Sequence, residues 1–279
     1  MTKKILSILL VVALALTCFA ACGESTDEPA ATAAPTAAPT TAPTEAPTAT
    51  PEPTATPEPV DPPVADLFDL CFENGELVNK TSNAATFGSY GAPIIEMDET
   101  IGMQVGKFDG SSAFTVENIS DYYDTLAKGF TMEIYFSISD LTNEVGIVSN
   151  MESGGFGFDY VPGNSSFGFN VYTGTYTHPY YTESIDTDIY YHVVATYDCE
   201  TICLYVDGAY DNECESGDIV FPGDVTAQML VIGADSTGAG IEGELVGTVA
   251  FARIYSNILS DAEIEALYNQ VKNNCSLYN

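Results

Sequence analysis

Thr201-Ile202-Cys203-Leu204-Tyr205-Val206-Asp207-Gly208 is the stretch that sets the class of the fold. Ile202, Leu204 and Val206 fall on one side of an extended chain, and Asp-Gly is a two-residue turn that reverses a strand into a hairpin. Pairing through that turn places Cys214 opposite Thr201, with Cys203 and Cys199 each one diagonal step away on the same face. Upstream, Phe130, Met132, Ile134, Phe136 and Ile138 alternate through residues 130–138, which predicts a half-buried strand. Similar runs at 167–172, 190–197, 229–233 and 246–255 are separated by Gly, Asn and Asp. One helix stands out near the C-terminus, where Ser260 and Glu263 form a capping box ahead of the apolar stripe Ile264, Leu267, Tyr268 and Val271. Many strands and one terminal helix predict an all-β sandwich spanning 64–279, a length that suits a single such domain.

The first 63 residues have a different texture. Lys3 and Lys4, the apolar run 5–16 and the small residues Ala20-Ala21 read as a signal peptide, 1–21. Phe19-Ala20-Ala21-Cys22 resembles a bacterial lipobox, which implies cleavage before Cys22 and a diacylglycerol on its thiol; an uncleaved signal anchor is the competing reading. Of the 15 prolines, 11 lie between Pro29 and Pro63, so 22–63 is a Pro/Thr/Ala-rich linker with nothing to bury. It is expected to be a disordered, polyproline-like stalk that holds the domain away from the outer face of the cell membrane. With 7 basic against 40 acidic residues, net −33, the chain is excluded from binding nucleic acid and from polybasic attachment to anionic lipid.

The order of the segments carries a resemblance. Lys107-Phe108-Asp109-Gly110-Ser111-Ser112, the strand 130–136, Tyr190-Tyr191-His192-Val193-Val194-Ala195-Thr196-Tyr197-Asp198, Leu204-Tyr205-Val206-Asp207-Gly208, and 247–255 followed by Leu259-Ser260-Asp261-Ala262-Glu263-Ile264 are similar, in that order, to the motifs of laminin-G-like, concanavalin A-type domains. The resemblance covers most of 64–279 and implies a two-sheet antiparallel jelly roll. Tyr135 and Tyr190 stand where that family usually has Trp, and Cys199 replaces a Gly after Asp198.

Retaining glucanases of this fold carry a Glu-x-Asp-x-(x)-Glu run on one strand. Here Glu96-Met97-Asp98 reaches Thr100 and Ile101 without a second Glu, Glu133 has no partner acid after it, and Glu183 to Asp188 has the wrong order. Of the two histidines, His192 lies within a strand and reads as a packed structural side chain. No catalytic set is visible, and a non-enzymatic binding domain is expected, with glycoside hydrolysis the lesser alternative.

Binding has better support. Tyr172, Tyr176, His178, Tyr180 and Tyr181 crowd the segment 172–182, read as a loop that presents aromatic platforms and polar groups to a sugar. The competing readings are a tyrosine-covered sheet surface and a domain that binds a surface protein. The cofactor expected on fold grounds is at most a structural Ca²⁺, for which Asp186-Thr187-Asp188 offers oxygen ligands, although no Asp-x-Asp-x-Asp-Gly loop occurs. Cys71, Cys199, Cys203, Cys214 and Cys275 remain after export, which predicts one disulfide within Cys199/Cys203/Cys214 and a second joining Cys71 to Cys275.

Overall fold

Short alternating runs punctuated by turn residues become strands closed by tight reversals, and a computed structural model describes them for residues 60–275 apart from 225–227 and 239. The signal segment 1–21, Cys22 and the linker through residue 59 lie outside the described residues. The first strands are β1 (Phe68–Glu73), β2 (Glu76–Asn79), β3 (Phe87–Tyr90), β4 (Ile94–Asp98), β5 (Met103–Asp109) and β6 (Ala113–Val116). A single helical turn, α1 (Tyr123–Leu126), leads into β7 (Phe130–Ile138), β8 (Val145–Ser149), β9 (Phe156–Val161), β10 (Ser166–Tyr172) and β11 (Tyr176–Thr177). Then come β12 (Tyr191–Tyr197), β13 (Thr201–Val206), β14 (Ala209–Glu215), β15 (Leu230–Ile232), β16 (Asp235–Thr237), β17 (Gly240–Glu242) and β18 (Val246–Tyr255), closed by helix α2 (Asp261–Asn274).

The strands form two large antiparallel sheets facing one another as a jelly-roll sandwich. One sheet runs β14-β13-β12-β7-β18-β1-β2, with β5 also paired to the first half of β18 and β4 paired to β5. The other runs β11-β10-β9-β8-β15-β6-β3, and β16-β17 is a separate hairpin. Between the sheets lie Phe130, Met132, Ile134 and Phe136 of β7 against Phe156, Phe158, Phe167 and Phe169 of β9 and β10. The expected strands at 130–138, 201–206 and 246–255 form with those bounds, whereas 229–233 shortens to β15.

Two expectations give way. β7 is buried on both faces rather than half-buried, because α2 lies over its outer side. Ile264 and Leu267 pack there with Val194, Tyr205 and Tyr255, and Val271 packs with Tyr135, Tyr190 and Phe251. The two tyrosines standing where the family has Trp thus meet in one cluster, ring centroids 5.1 Å apart. The capping box forms as read, with the Ser260 N–H donating to Glu263 Oε2 at 2.8 Å.

The second concerns the cysteines. Tyr205 faces Tyr210 across the Asp207-Gly208 turn, but a bulge then shifts the register, so that Leu204 faces Asn212 and Ile202, not Thr201, faces Cys214. One residue of slip turns a strand's side chains over. Cys214 therefore packs towards the core with Ile202, while Cys203 lies on the other face beside Glu213. The expected bridge within Cys199/Cys203/Cys214 does not form. Cys71 and Cys275 do border one apolar cluster, with no bond between them, and Cys275 Sγ sits 3.6 Å from the Tyr135 hydroxyl.

Candidate functional site

On β8, β9 and β10 the residues between the core phenylalanines point away from the sandwich, and several are glycine or polar. Register places Gly146, Asp159 and Gly168 side by side across these strands, and Gly168 bridges to Tyr180. The two glycines are required by close approach. A Cβ on Gly168 would meet the Tyr180 ring at 2.7 Å, and one on Gly146 would meet the backbone at Ala234 and Asp235 at 2.5 Å. The β16-β17 hairpin thus closes one side of Asp159 and Tyr180 the other. A cavity of about 660 Å³ opens between them, with Asp159 and Asn170 in its floor.

The segment 172–182 proves to be a sheet edge rather than a free loop. β11 pairs with the end of β10, and further along the Tyr181 N–H donates to Phe167 O at 2.9 Å. The residue bulged out of β14, Asp211, accepts from the Thr182 N–H and hydroxyl at 3.0 and 2.6 Å, and Asn212 Nδ2 donates to Tyr180 O at 2.9 Å. This pinning sorts the aromatic residues by alternation. Tyr176, His178 and Tyr180 face the cavity. Tyr181 turns inward and stacks on Phe167, centroids 5.2 Å apart and 11° between planes, so it belongs to the core. Tyr172 stands outside the cavity with its ring edge-on to Tyr176 at 4.9 Å. Of the five expected sugar-contacting residues, three share one wall and two do not.

The opposite walls are acidic, which the sequence reading missed. Glu144, Glu152, Asp235 and Glu242 join Asp159 around the cavity, and none of its lining residues is Lys or Arg. Residues 129–252 contain no Lys or Arg at all, a signal that could have marked this face. Asp159 is only 8% exposed, and its Oδ1, together with Asn170 Nδ2 and His178 Nδ1, has no hydrogen-bond partner in the protein. Burial, then the nearby Glu144, pushes the Asp159 carboxyl up to about 8. Burial also raises Asp235 to about 7, with Glu242 and Glu152 adding repulsion against the donors Ser149 Oγ and the Ser236 N–H. His178 is held below the usual imidazole range by burial, and Tyr180 is raised to about 12 by burial and by Asp159 and Glu144.

The carboxylates weighed for a glucanase are engaged elsewhere. Glu96 pairs with Lys107 at 2.8 Å, and Asp98 accepts from the Tyr190 hydroxyl at 2.6 Å. Glu133 is buried beneath α2, where it takes hydrogen bonds from Tyr255 Oη at 2.6 Å and Arg253 Nη1 at 3.2 Å and lies 2.9 Å from His192 Nε2. His192 is fully buried and structural, as expected. Asp186 and Asp188 are exposed, Asp188 taking the Ser139 hydroxyl at 2.6 Å. Among the described residues no three His, Cys, Asp or Glu side chains are grouped to hold an ion. Among the same residues no helix is long and apolar enough to cross a membrane.

A laminin-G-type family model, described as the concanavalin A-like lectin/glucanases superfamily, matches residues 108–265, more than half of the chain. The chain belongs to that superfamily. This lectin-like jelly roll is similar in structure to the receptor-binding domain of a botulinum neurotoxin C/D mosaic serotype, at 17% identity and a TM-score of 0.59 over 74% of this chain and 51% of that one. It is also similar to the binding domain of Paraclostridial Mosquitocidal Protein 1, at 14% identity and a TM-score of 0.59 over 75% of this chain and 53% of that one. A third likeness is to the binding domain of botulinum neurotoxin DC in complex with rat synaptotagmin II, at 13% identity and 0.57 over 74% and 52%. The chain spans about half the length of these toxin domains, and at such identities the likeness is one of fold. No curated protein matches it in sequence.

Proposed function

We propose that this lectin-like domain is a non-catalytic glycan-binding module, displayed on the outer face of a bacterial membrane by a lipid on Cys22 and a Pro/Thr/Ala stalk. The observation that carries the binding reading is the cavity wall of Tyr176, His178 and Tyr180 facing unpartnered polar atoms of Asp159 and Asn170. A sugar presents an apolar C–H face for rings and hydroxyls for fixed polar groups, and buried polar atoms without partners gain most from such a ligand. Membership of a lectin/glucanase superfamily and likeness to toxin binding domains support the same reading. Glycan-array binding of the full chain, lost on Tyr180→Ala with the fold retained by circular dichroism, tests it. Unchanged binding in that variant counts against the site. The membrane arm is tested by radioactive fatty-acid labelling, which Cys22→Ala should abolish.

Two buried carboxyls on one cavity are the specific observation that favours a second reading, glycoside hydrolysis, since acids with raised pKa are the groups that protonate leaving oxygens. Release of reducing ends from an array-positive oligosaccharide, abolished by Asp159→Asn, would establish it. A surface protein is the partner if no glycan binds.

A further inference from the structure

Building on the glycan-binding reading, we infer that the cavity selects a cationic saccharide, one whose sugar carries a free amine, over neutral, N-acetylated or acidic glycans. Glu144, Glu152, Asp159, Asp235 and Glu242 surround the cavity with no counter-cation among its lining residues. Among the described residues Lys80 pairs with Glu73, Lys107 with Glu96, Arg253 with Asp69 and Glu133, Lys272 lies over the Tyr268 ring, and Lys128 does not line the cavity. A sialic acid, uronic acid or phosphate placed here would meet uncompensated repulsion in a partly desolvated site.

The floor adds an independent observation. Asp159 is more than nine-tenths buried, lines the cavity and has an Oδ1 with no partner, and Asn170 beside it is 3% exposed with an unpartnered Nδ2. A buried carboxylate is stable only with a paired charge or several donors; this protein supplies both at Glu133, whereas Asp159 has no paired charge and the Asn170 amide as its neighbouring side-chain donor. An ammonium seated against Asp159 provides the charge and up to three donors at once. The rings of Tyr176 and Tyr180 on the facing wall suit both the sugar face and the cation. A metal ion is the poorer occupant, because the acids ring the walls and no three metal-ligating side chains converge among the described residues.

The test is calorimetric titration of the full chain, at roughly 0.15 M salt to screen long-range attraction, with three probes: a glucosamine hexasaccharide bearing free amines, its N-acetylated counterpart and a glucose hexasaccharide. The amine form should bind on the order of tenfold to a hundredfold more tightly, the worth of a charge-assisted hydrogen bond in a desolvated site. Asp159→Asn, and independently the exposed hairpin change Glu242→Gln, should each reduce that preference, while Glu76→Gln on the distant β2 should not. Equal binding of the N-acetylated or glucose hexasaccharide overturns the inference and leaves the glycan reading standing. A loss in Glu76→Gln as large as in Glu242→Gln also overturns it, since the attraction would then be diffuse. Absence of binding by all three probes overturns the inference, and the glycan array decides the glycan reading separately.

Discussion

Glu133 and Asp159 are both buried acids on the outer faces of their sheets, and their surroundings are opposite. Glu133, on the sheet that carries Lys107 and Arg253 and is covered by α2, is met by Arg253, His192 and Tyr255. Burial there works against ionisation, yet Arg253 foremost, then His192 and Tyr255, hold the carboxyl at about 2. Asp159 sits on the sheet without cations, with a glycine on each side and an open cavity above, and burial pushes it up to about 8. The first site is completed from within the chain and serves stability. The second is left incomplete, which is the condition for a ligand to complete it.

The largest expected effect separates the two directly. Glu133→Ala strands a buried guanidinium, a histidine and a phenol, and should cost about 3–5 kcal/mol in urea denaturation. Measured near pH 4, where Asp159 keeps its proton, Asp159→Asn replaces a neutral acid by its isostere and should change stability by less than about 1 kcal/mol in either direction. Similar losses in both would break the comparison.

The pH dependence has opposite signs at the two sites. Glu133 is depressed from 4.5 to about 2, so its contribution is complete above pH 4.5 and is lost as pH falls through 2. That amounts to about 3 kcal/mol at 1.36 kcal/mol per pH unit. Asp159 is raised from 3.8 to about 8, so the folded state holds its proton more tightly and stability declines as pH climbs between those values. The urea midpoint should therefore fall from mildly acidic pH towards pH 8, and Asp159→Asn should flatten that fall.

Adjacent tyrosines sharpen the contrast further. Tyr181→Ala opens space beside Phe167 and should destabilise the fold by about 3 kcal/mol. Tyr180→Ala should instead weaken sugar binding by about 1–3 kcal/mol and leave the thermal transition nearly in place. Smallest of all, Ser260→Ala removes the cap of α2 and should cost about 1 kcal/mol, read as a shift in thermal midpoint.

Much of the fold was legible because its signals are local. The alternation at 130–138 and 246–255, the Asp207-Gly208 reversal and the Ser260/Glu263 cap each depend on neighbours within a few residues, and each formed where read. Half of the aromatic site was legible in the same way, as a crowding of rings at 172–182. Its facing was not. Tyr180 and Tyr181 are adjacent in sequence and part company only because the segment is pinned beside β10 by Phe167 and Asp211.

The sequence alone determined that this is an acidic chain built of short strands with one capped helix, since composition, period and caps need no partner to be read. Only the tertiary structure decided which faces those strands bury, because cross-strand neighbours depend on a register that one bulged residue, Asp211, is enough to shift. That register parted Cys203 from Cys214. On the other sheet, register placed Asp159 between two glycines under Tyr180 while β7 brought Glu133 within reach of Arg253, giving two buried acids opposite roles.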